Sequence, residues 1–375
     1  MVHHHQIPVA DEFYKKLGDN YKYIATMPLP DWLIKGGYDS TIARPYIVRA
    51  YENSEMKQYA IELAKNADVS IIGAAPDYYI EERIKNNKLT FRYSERYFKK
   101  HCWLFPDPRI WIWFYKNHFR YRNKKLYMLA ASAYTANDVY HMQCYRNKVY
   151  KWGYFTKVDN FALDRFLKMK SENFGDTLHI MWCSRFLKWK HPELPVLLSK
   201  QLKDKGYKFH INMFGSGEEL ERIKKLASDL VVNDVVSFCG NLPNEEILHK
   251  MREHEIFLFT SDRNEGWGAV LNESMSNGCA VVASHLIGSV PFLIKDGENG
   301  LIFKSGDLNS LQHQVEFLLN NPNKRVTIIK NAILTMRNIW SPANAASRFL
   351  SLAESLLNDC DVKFIDGPCS KAYPI

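Results

Sequence analysis

Nowhere in the 375 residues does an apolar run approach the roughly 20 residues that a bilayer span needs, so no integral membrane protein is expected. Cysteine is sparse. The seven present (Cys102, Cys144, Cys183, Cys239, Cys279, Cys360 and Cys369) are odd in number, scattered and never spaced Cys-x-x-Cys. That pattern argues against a disulfide framework and against a zinc site, and it fits a reducing cytoplasm. The first residues lack the apolar core of a secretory signal. Internal repeats of 20 to 50 residues and low-complexity tracts are also missing. Hydrophobic residues at 46% and charged residues at 24% are those of a globular protein. The chain exceeds one ordinary core, and two domains are expected.

Acidic residues are scarce in one half only. Residues 1–170 hold 28 Lys and Arg against 17 Asp and Glu, a surplus of 11, while the remainder hold 22 against 24. The surplus gathers in residues 96–125, RYFKKHCWLFPDPRIWIWFYKNHFRYRNKK, where nine basic residues and ten aromatics accompany one acid, Asp107. Basic heads interleaved with Trp, Tyr and Phe suit an anionic membrane surface, with rings at headgroup depth and Lys and Arg on phosphate. RNA, on whose bases aromatics stack, is a second reading; a helix with core aromatics and solvated charges is a third. The membrane surface is the expected partner and nucleic acid is not, which places the protein at the inner face of the membrane as a peripheral cytoplasmic protein.

The second half is regularly punctuated. From TLHIMWCS onward, β-rich runs (KFHINMFG, VVSFCG, IFLFTS, CAVVAS, GLIF) alternate with helical patterns (EELERIKKLASDL, NEEILHKMREH, AVLNESMSNG). Strand-helix alternation predicts a parallel sheet covered on both faces, with ligands at the carboxyl ends of the strands. The first half repeats the scheme, with strands near residues 22–27, 45–51, 69–74, 89–94 and 126–132. The fold class is therefore α/β, with two Rossmann-like doubly wound domains. The expected division is 1–160, a linker at 161–176, 177–340, and a C-terminal helix and tail at 341–375 that pack back towards the first domain.

The stretch NEGWGAVLNESMSNGCAVVAS places Glu265 in a loop and Glu273 inside the helix that follows, eight residues on. They are not a close carboxylate pair. At ~1.5 Å per helical residue they are spread over something like the length of a nucleotide sugar. Gly266 and Gly268 leave backbone N–H groups near the helix start, where a phosphate is favoured. In WCSRFLKWKHPE, Arg185 and Lys190 follow the first strand of this domain at the same edge, a planar fork and a compact charge that suit the two ends of a pyrophosphate.

SRFLKWKHPE, FGSGEELERI, EGWGAVLNESMSNGCAVVAS and the run to DGENGLIF together resemble the donor-binding domain of family 4 glycosyltransferases, which have the GT-B fold. The resemblance covers about residues 177–340. It implies a retaining, metal-independent transfer of a sugar from a nucleotide diphosphate donor, with no cofactor. By that resemblance Arg185 and Lys190 would hold the diphosphate, Glu273 the ribose hydroxyls, and Glu265 with the backbone of Gly266, Trp267, Gly268 and Ala269 the donor sugar. Ser184 stands where the family usually has glycine. The acceptor would be a growing surface or capsular glycan, lipid-linked. Alternatives on the same fold are a sugar phosphorylase or nucleotide-sugar epimerase; a catalytically silent membrane-docking subunit is another.

MVHHHQIPVADEFYKKLG begins with a helical pattern directly after His5 and Gln6, although a Rossmann-like domain normally begins with a strand, so a missing first strand is expected. The His-His-Gln turn resembles one found after that strand in some bacterial polysaccharide glycosyltransferases, which puts His4 and His5 on the acceptor side; a fragmentary affinity tag is the alternative. Glu95 and Arg96, just past a strand, are further acceptor-side candidates; a structural ion pair is the alternative. The Asp359 and Asp361 pair lies beyond every sheet and is not expected to bind metal. FGSGEEL lacks the third glycine and the later acid of a dinucleotide loop, so NAD is not expected.

Overall fold

The computed structural model describes residues 1–2, 5–31, 41–99, 107–172, 177–360 and 364–375. They form two units, residues 1–157 with 339–375, and residues 158–338.

In the first unit the helical pattern after Gln6 is helix α1 (Ile7–Leu17), which buries Ile7, Ala10 and Phe13 along one stripe. Strand β1 (Tyr23–Ala25) pairs in parallel with β2 (Ile47–Arg49). Helix α2 (Ser54–Asn66) starts where the Asn53 side chain accepts the Met56 N–H at 2.8 Å, a conventional N-cap. A parallel sheet follows in the order β3 (Val69–Ile72), β4 (Leu89–Ser94), β5 (Leu126–Ala130) and β6 (Val149–Lys151). Helices α3 (Glu81–Lys85), α4 (Pro108–Asn117) and α5 (Thr135–His141) connect its strands. The three residues of β6 are too few for a periodic signal.

The second unit opens with helix α6 (Leu163–Glu172), on residues expected to be linker. Its polar residues outnumber its apolar ones, yet Phe166 and Leu167 enter the core and the buried Lys170 ammonium donates to the carbonyl of His254 at 2.7 Å. Then come β7 (Leu178–Cys183), α7 (Glu193–Asp204), β8 (Phe209–Phe214), α8 (Leu220–Asp229), β9 (Val236–Gly240), α9 (Asn244–Glu253) and β10 (Ile256–Phe259). The chain continues through α10 (Val270–Ser276), β11 (Ala280–Ser284), α11 (Val290–Leu293), β12 (Leu301–Phe303), α12 (Leu308–Asn320) and α13 (Pro322–Leu334). All six strands are parallel, in the order β12-β11-β10-β7-β8-β9. Burial on both faces explains why IFLF and AVVAS read as unbroken apolar runs. The strand order reverses between β7 and β10, and in open α/β sheets such a reversal opens a crevice at the carboxyl ends.

The chain then returns to the first unit as α14 (Pro342–Leu357), where Phe349 packs against Phe91, Phe13 and Trp152 at 4.9, 5.5 and 5.6 Å between ring centroids. Beyond it, Lys371 bridges antiparallel to Tyr150, and the Lys151 N–H donates to the Ser370 carbonyl at 2.7 Å. The tail thereby covers the free edge of β6, which would otherwise expose unpaired backbone groups.

Candidate functional site

Two loops leave neighbouring strands of the second unit, one after β7 and one after β10. Thr260, directly after β10, joins them: its hydroxyl donates to the Lys190 carbonyl at 2.7 Å and accepts the Trp182 indole N–H at 2.9 Å. The Asp262 N–H donates to the Trp189 carbonyl at 3.0 Å, a second rung. With the backbones fixed, the Lys190 ammonium meets Glu265 Oε2, and both residues are more than nine-tenths buried. Ser261 Oγ donates to the same carboxylate oxygen at 3.0 Å. Lys190 also lies 4.2 Å from the Trp189 ring centre, a cation–π contact. A buried ion pair of this kind is weak evidence for stability, because desolvation offsets most of the attraction.

The structure places Arg185 exposed at the carboxyl end of β7, in a turn closed by the Leu187 N–H on the Arg185 carbonyl at 2.9 Å. Ser184 prolongs the ladder by donating its N–H to Phe214 at 3.1 Å. A Cβ at Gly215 would stand 1.9 Å from the Ser184 carbonyl oxygen, and one at Gly217 would stand 2.4 Å from that of Phe186. The two glycines of FGSGEEL thus let one loop press against the other.

Glu273 lies within α10 and is 8% exposed. Burial raises its carboxyl to about 7, against a smaller opposing pull from a hydrogen bond with the Asn244 side chain. The Cys183 thiol, at the end of β7, is pushed up to about 12 by burial first and by the Glu273 charge second, while Lys190 pulls it down. Cys183 at the end of β7 thus feels both Glu273 and Lys190. The helix begins at Val270 and runs seven residues. Gly268 has φ +81°, and a Cβ there would meet the Phe259 ring at 2.3 Å, so glycine is required for both reasons. Gly266 and Ala269 are buried beside it. The Trp267 indole is fully buried and donates to Asn272 Oδ1 at 2.9 Å, so its ring serves packing.

One neighbour was not anticipated. His191 adopts a left-handed conformation (φ 50°), with Nδ1 2.8 Å from Glu193 Oε1 and Nε2 3.6 Å from Asp262 Oδ2. Asp262 and Glu193 together raise its pKa to about 9. A charged imidazole thus ties the Lys190 loop to the loop bearing Glu265. Its signal was the bare adjacency Lys190-His191.

In the first unit, the Tyr154 hydroxyl donates to Glu95 Oε1 at 2.9 Å, Lys99 contacts the other oxygen, and His5 stacks on Tyr154 at 6.1 Å. Arg96 does not pair with Glu95. It lies 4.0 Å from Asp138 and over the Tyr134 ring, and Asp138 also accepts the N–H groups of Tyr97 and Phe98. Arg96 is thus a structural partner of Asp138, whereas Glu95, Lys99, Tyr154 and His5 form one polar cluster. His4 lies outside the described residues, as does Asp361. Asp359 pairs with Lys125 at 2.8 Å.

Residues 164–335 match the family model described as glycosyl transferases group 1. An uncharacterized glycosyltransferase of Methanocaldococcus jannaschii is 27% identical over 214 residues, covering 56% of this chain and 53% of the relative. The lipopolysaccharide core biosynthesis glycosyltransferase LpsE of Rhizobium meliloti is 28% identical over 143 residues, 38% of this chain and 41% of LpsE. The chain spans about half the length of the curated relatives it matches. Among solved structures, HepE of Anabaena in complex with UDP superposes with a TM-score of 0.63 at 14% identity, over 82% of this chain and 85% of HepE. That likeness bears out the fold expected from the sequence, two Rossmann-like units of the GT-B class. The residues that match the family model, 164–335, are those that build the six-stranded parallel sheet.

Proposed function

We propose that the protein is a retaining glycosyltransferase that moves a sugar, a hexose, from a nucleotide diphosphate donor to a lipid-linked glycan in surface polysaccharide biosynthesis. The observation that carries this reading is the buried contact of Lys190 with Glu265, at the carboxyl edge where β7 and β10 adjoin. A departing diphosphate gains negative charge in the transition state, and a cation held in a low-dielectric wall stabilises it there more than in the ground state. Lys190 supplies that charge from within and Arg185 a planar fork at the exposed rim. With two cations at hand, the reaction needs no metal and no cofactor. Glu265 shares its carboxylate between Lys190 and Ser261 and would accept from a donor-sugar hydroxyl, alongside the backbone of Gly266, Trp267, Gly268 and Ala269. Glu273 would accept from the ribose. HepE was solved with UDP, and LpsE is named for lipopolysaccharide core synthesis, which favours such a donor and acceptor. On the acceptor side, Glu95 and His5 offer a carboxylate and an imidazole in one cluster with Tyr154.

The test is incubation with a panel of nucleotide sugars, scoring nucleoside diphosphate release with and without a lipid-linked acceptor, and the anomeric configuration of the product by NMR. Acceptor-dependent release with the donor's configuration kept is expected. No release from any donor would overturn the reading, and an inverted product would overturn retention.

A further inference from the structure

Residues 96–125 divide into an inner and an outer set. Tyr97 meets Phe114 edge-on, Phe98 stacks on it, and His118 hydrogen-bonds the Tyr145 hydroxyl through Nδ1 at 2.6 Å, so the inner set is core. Helix α4 carries the outer set. Phe114 is its buried anchor, with Ile110 and Asn117 half-buried beside it. At 100° per residue, the point opposite that anchored face is Ile112, which is 53% exposed. Trp111 and Tyr115, 38% and 58% exposed, flank it on one side, and Arg109 and Lys116 flank it on the other. Farther along, Arg122 and Lys124 place their heads on the backbone carbonyls of Phe119 and Lys85. One acid, Asp107, stands among nine basic residues in the segment; it caps the helix by accepting the Arg109 N–H at 2.9 Å and pairs with the exposed Arg109 guanidinium at 2.9 Å, an ion pair that lipid phosphate would have to share.

An isoleucine at the outermost point of a helix, between two amphipathic rings and two cations, calls for a partner that is apolar beneath and anionic above. RNA would use the rings and the cations but has nothing to cover an aliphatic side chain. A bilayer with anionic headgroups takes all five residues: Ile112 reaches the acyl boundary, Trp111 and Tyr115 settle at the headgroup level, and Arg109 and Lys116 meet phosphate.

We infer that the outward face of α4, formed by Trp111, Ile112 and Tyr115 and bordered by Arg109 and Lys116, is a docking surface for anionic lipid bilayers. This rests on the reading of the acceptor as lipid-linked, since the surface would hold the enzyme where such an acceptor is presented.

Flotation of the full chain with phosphatidylglycerol-containing vesicles and with phosphatidylcholine vesicles tests it. Binding to the anionic vesicles should be strong at low salt and should weaken steeply towards 1 M, where the Debye length shrinks to about 3 Å. Arg109→Glu with Lys116→Glu should lower the partition coefficient about tenfold or more. Trp111→Ser with Ile112→Ser and Tyr115→Ser should abolish binding at every salt concentration. These positions face outward, so an unchanged melting curve certifies that both variants fold. Equal binding to neutral and anionic vesicles would overturn the inference. So would unaltered binding of the triple variant, or capture of single-stranded RNA in place of vesicles. Turnover of a short soluble acceptor separates the two readings. Transfer without vesicle binding sinks the surface alone, and vesicle binding without transfer sinks the glycosyltransferase reading alone.

Discussion

Lys190 and Glu265, 75 residues apart in the chain, meet inside the second unit through the ammonium and one carboxylate oxygen. Removing Lys190 leaves the Glu265 carboxylate buried with the Ser261 hydroxyl, and removing Glu265 leaves the Lys190 ammonium buried against the Trp189 ring; the structural cost of either is about 3–5 kcal/mol. Lys190→Ala and Glu265→Ala should therefore both lower the melting temperature, and each should lower kcat about 10²- to 10³-fold if the pair acts on the leaving group. The double variant Lys190→Met with Glu265→Leu separates the two effects. A well-packed apolar pair of similar volume should recover stability but not turnover. Recovered turnover in that variant would remove the pair from the donor site.

Glu273 carries a pH signature. Burial lifts its carboxyl from about 4.5 to about 7, so the folded chain holds a proton that the unfolded chain has released between those values. Stability from this group therefore falls as pH rises from 4.5 to 7, by at most about 1.4 kcal/mol per unit, and is level above 7. Glu273→Gln should flatten that window in urea titrations. If the carboxylate accepts from ribose hydroxyls, the donor KM of the native enzyme should fall as pH rises through 7, and that of the Gln variant should not. A KM profile that is the same in both would dissociate Glu273 from the donor.

Chelation distinguishes side-chain cations from a metal. If Arg185 and Lys190 hold the diphosphate, EDTA should leave turnover nearly unchanged. Arg185→Lys should retain part of the activity, since charge survives while the planar fork is lost. Abolition by EDTA with rescue by magnesium or manganese would mean that the diphosphate is held elsewhere.

Much of the fold was legible because its strands are apolar, β-branched and separated by polar turns. VSII, LTFRYS, IFLF and AVVAS announced themselves, as did α14. Adjacency was not legible. Lys190 can reach Glu265 only because β7 and β10 pair side by side, although β8 and β9 intervene in the chain. Helix α6 read as linker because Phe166 and Leu167 sit among charges, and only the sheet they cover reveals them as core. For Trp267 the sequence could speak of the backbone alone, since an aromatic between two glycines says nothing about which way its ring turns; the structure turns the ring inward to Asn272. In residues 96–125 composition alone could not separate Phe114, which anchors α4, from Ile112 two positions earlier, which faces out.

His191 offers a last test, because its two roles leave different traces. Its left-handed backbone would suit glycine better, yet its ring holds Glu193 and Asp262 together, with Arg222 3.6 Å from the far oxygen of Glu193. The two carboxylates raise the imidazole from about 6.5 to about 9, so its stabilising contribution is complete below 6.5 and disappears as pH rises through 9. About a quarter of the side chain is exposed, and after solvent screening the loss should be about 1–2 kcal/mol. His191→Gly should relax the backbone and abolish the pH dependence between 7 and 10, as read by urea unfolding. Because the tie runs between the loops of Lys190 and Glu265, the Gly variant should also lower kcat more than it raises the donor KM. His191→Asn tolerates the same backbone but carries no charge, and it should behave like Gly in the pH profile. A sloping profile in either variant would assign the alkaline loss of stability to another group, and an unchanged kcat in both would confine His191 to folding.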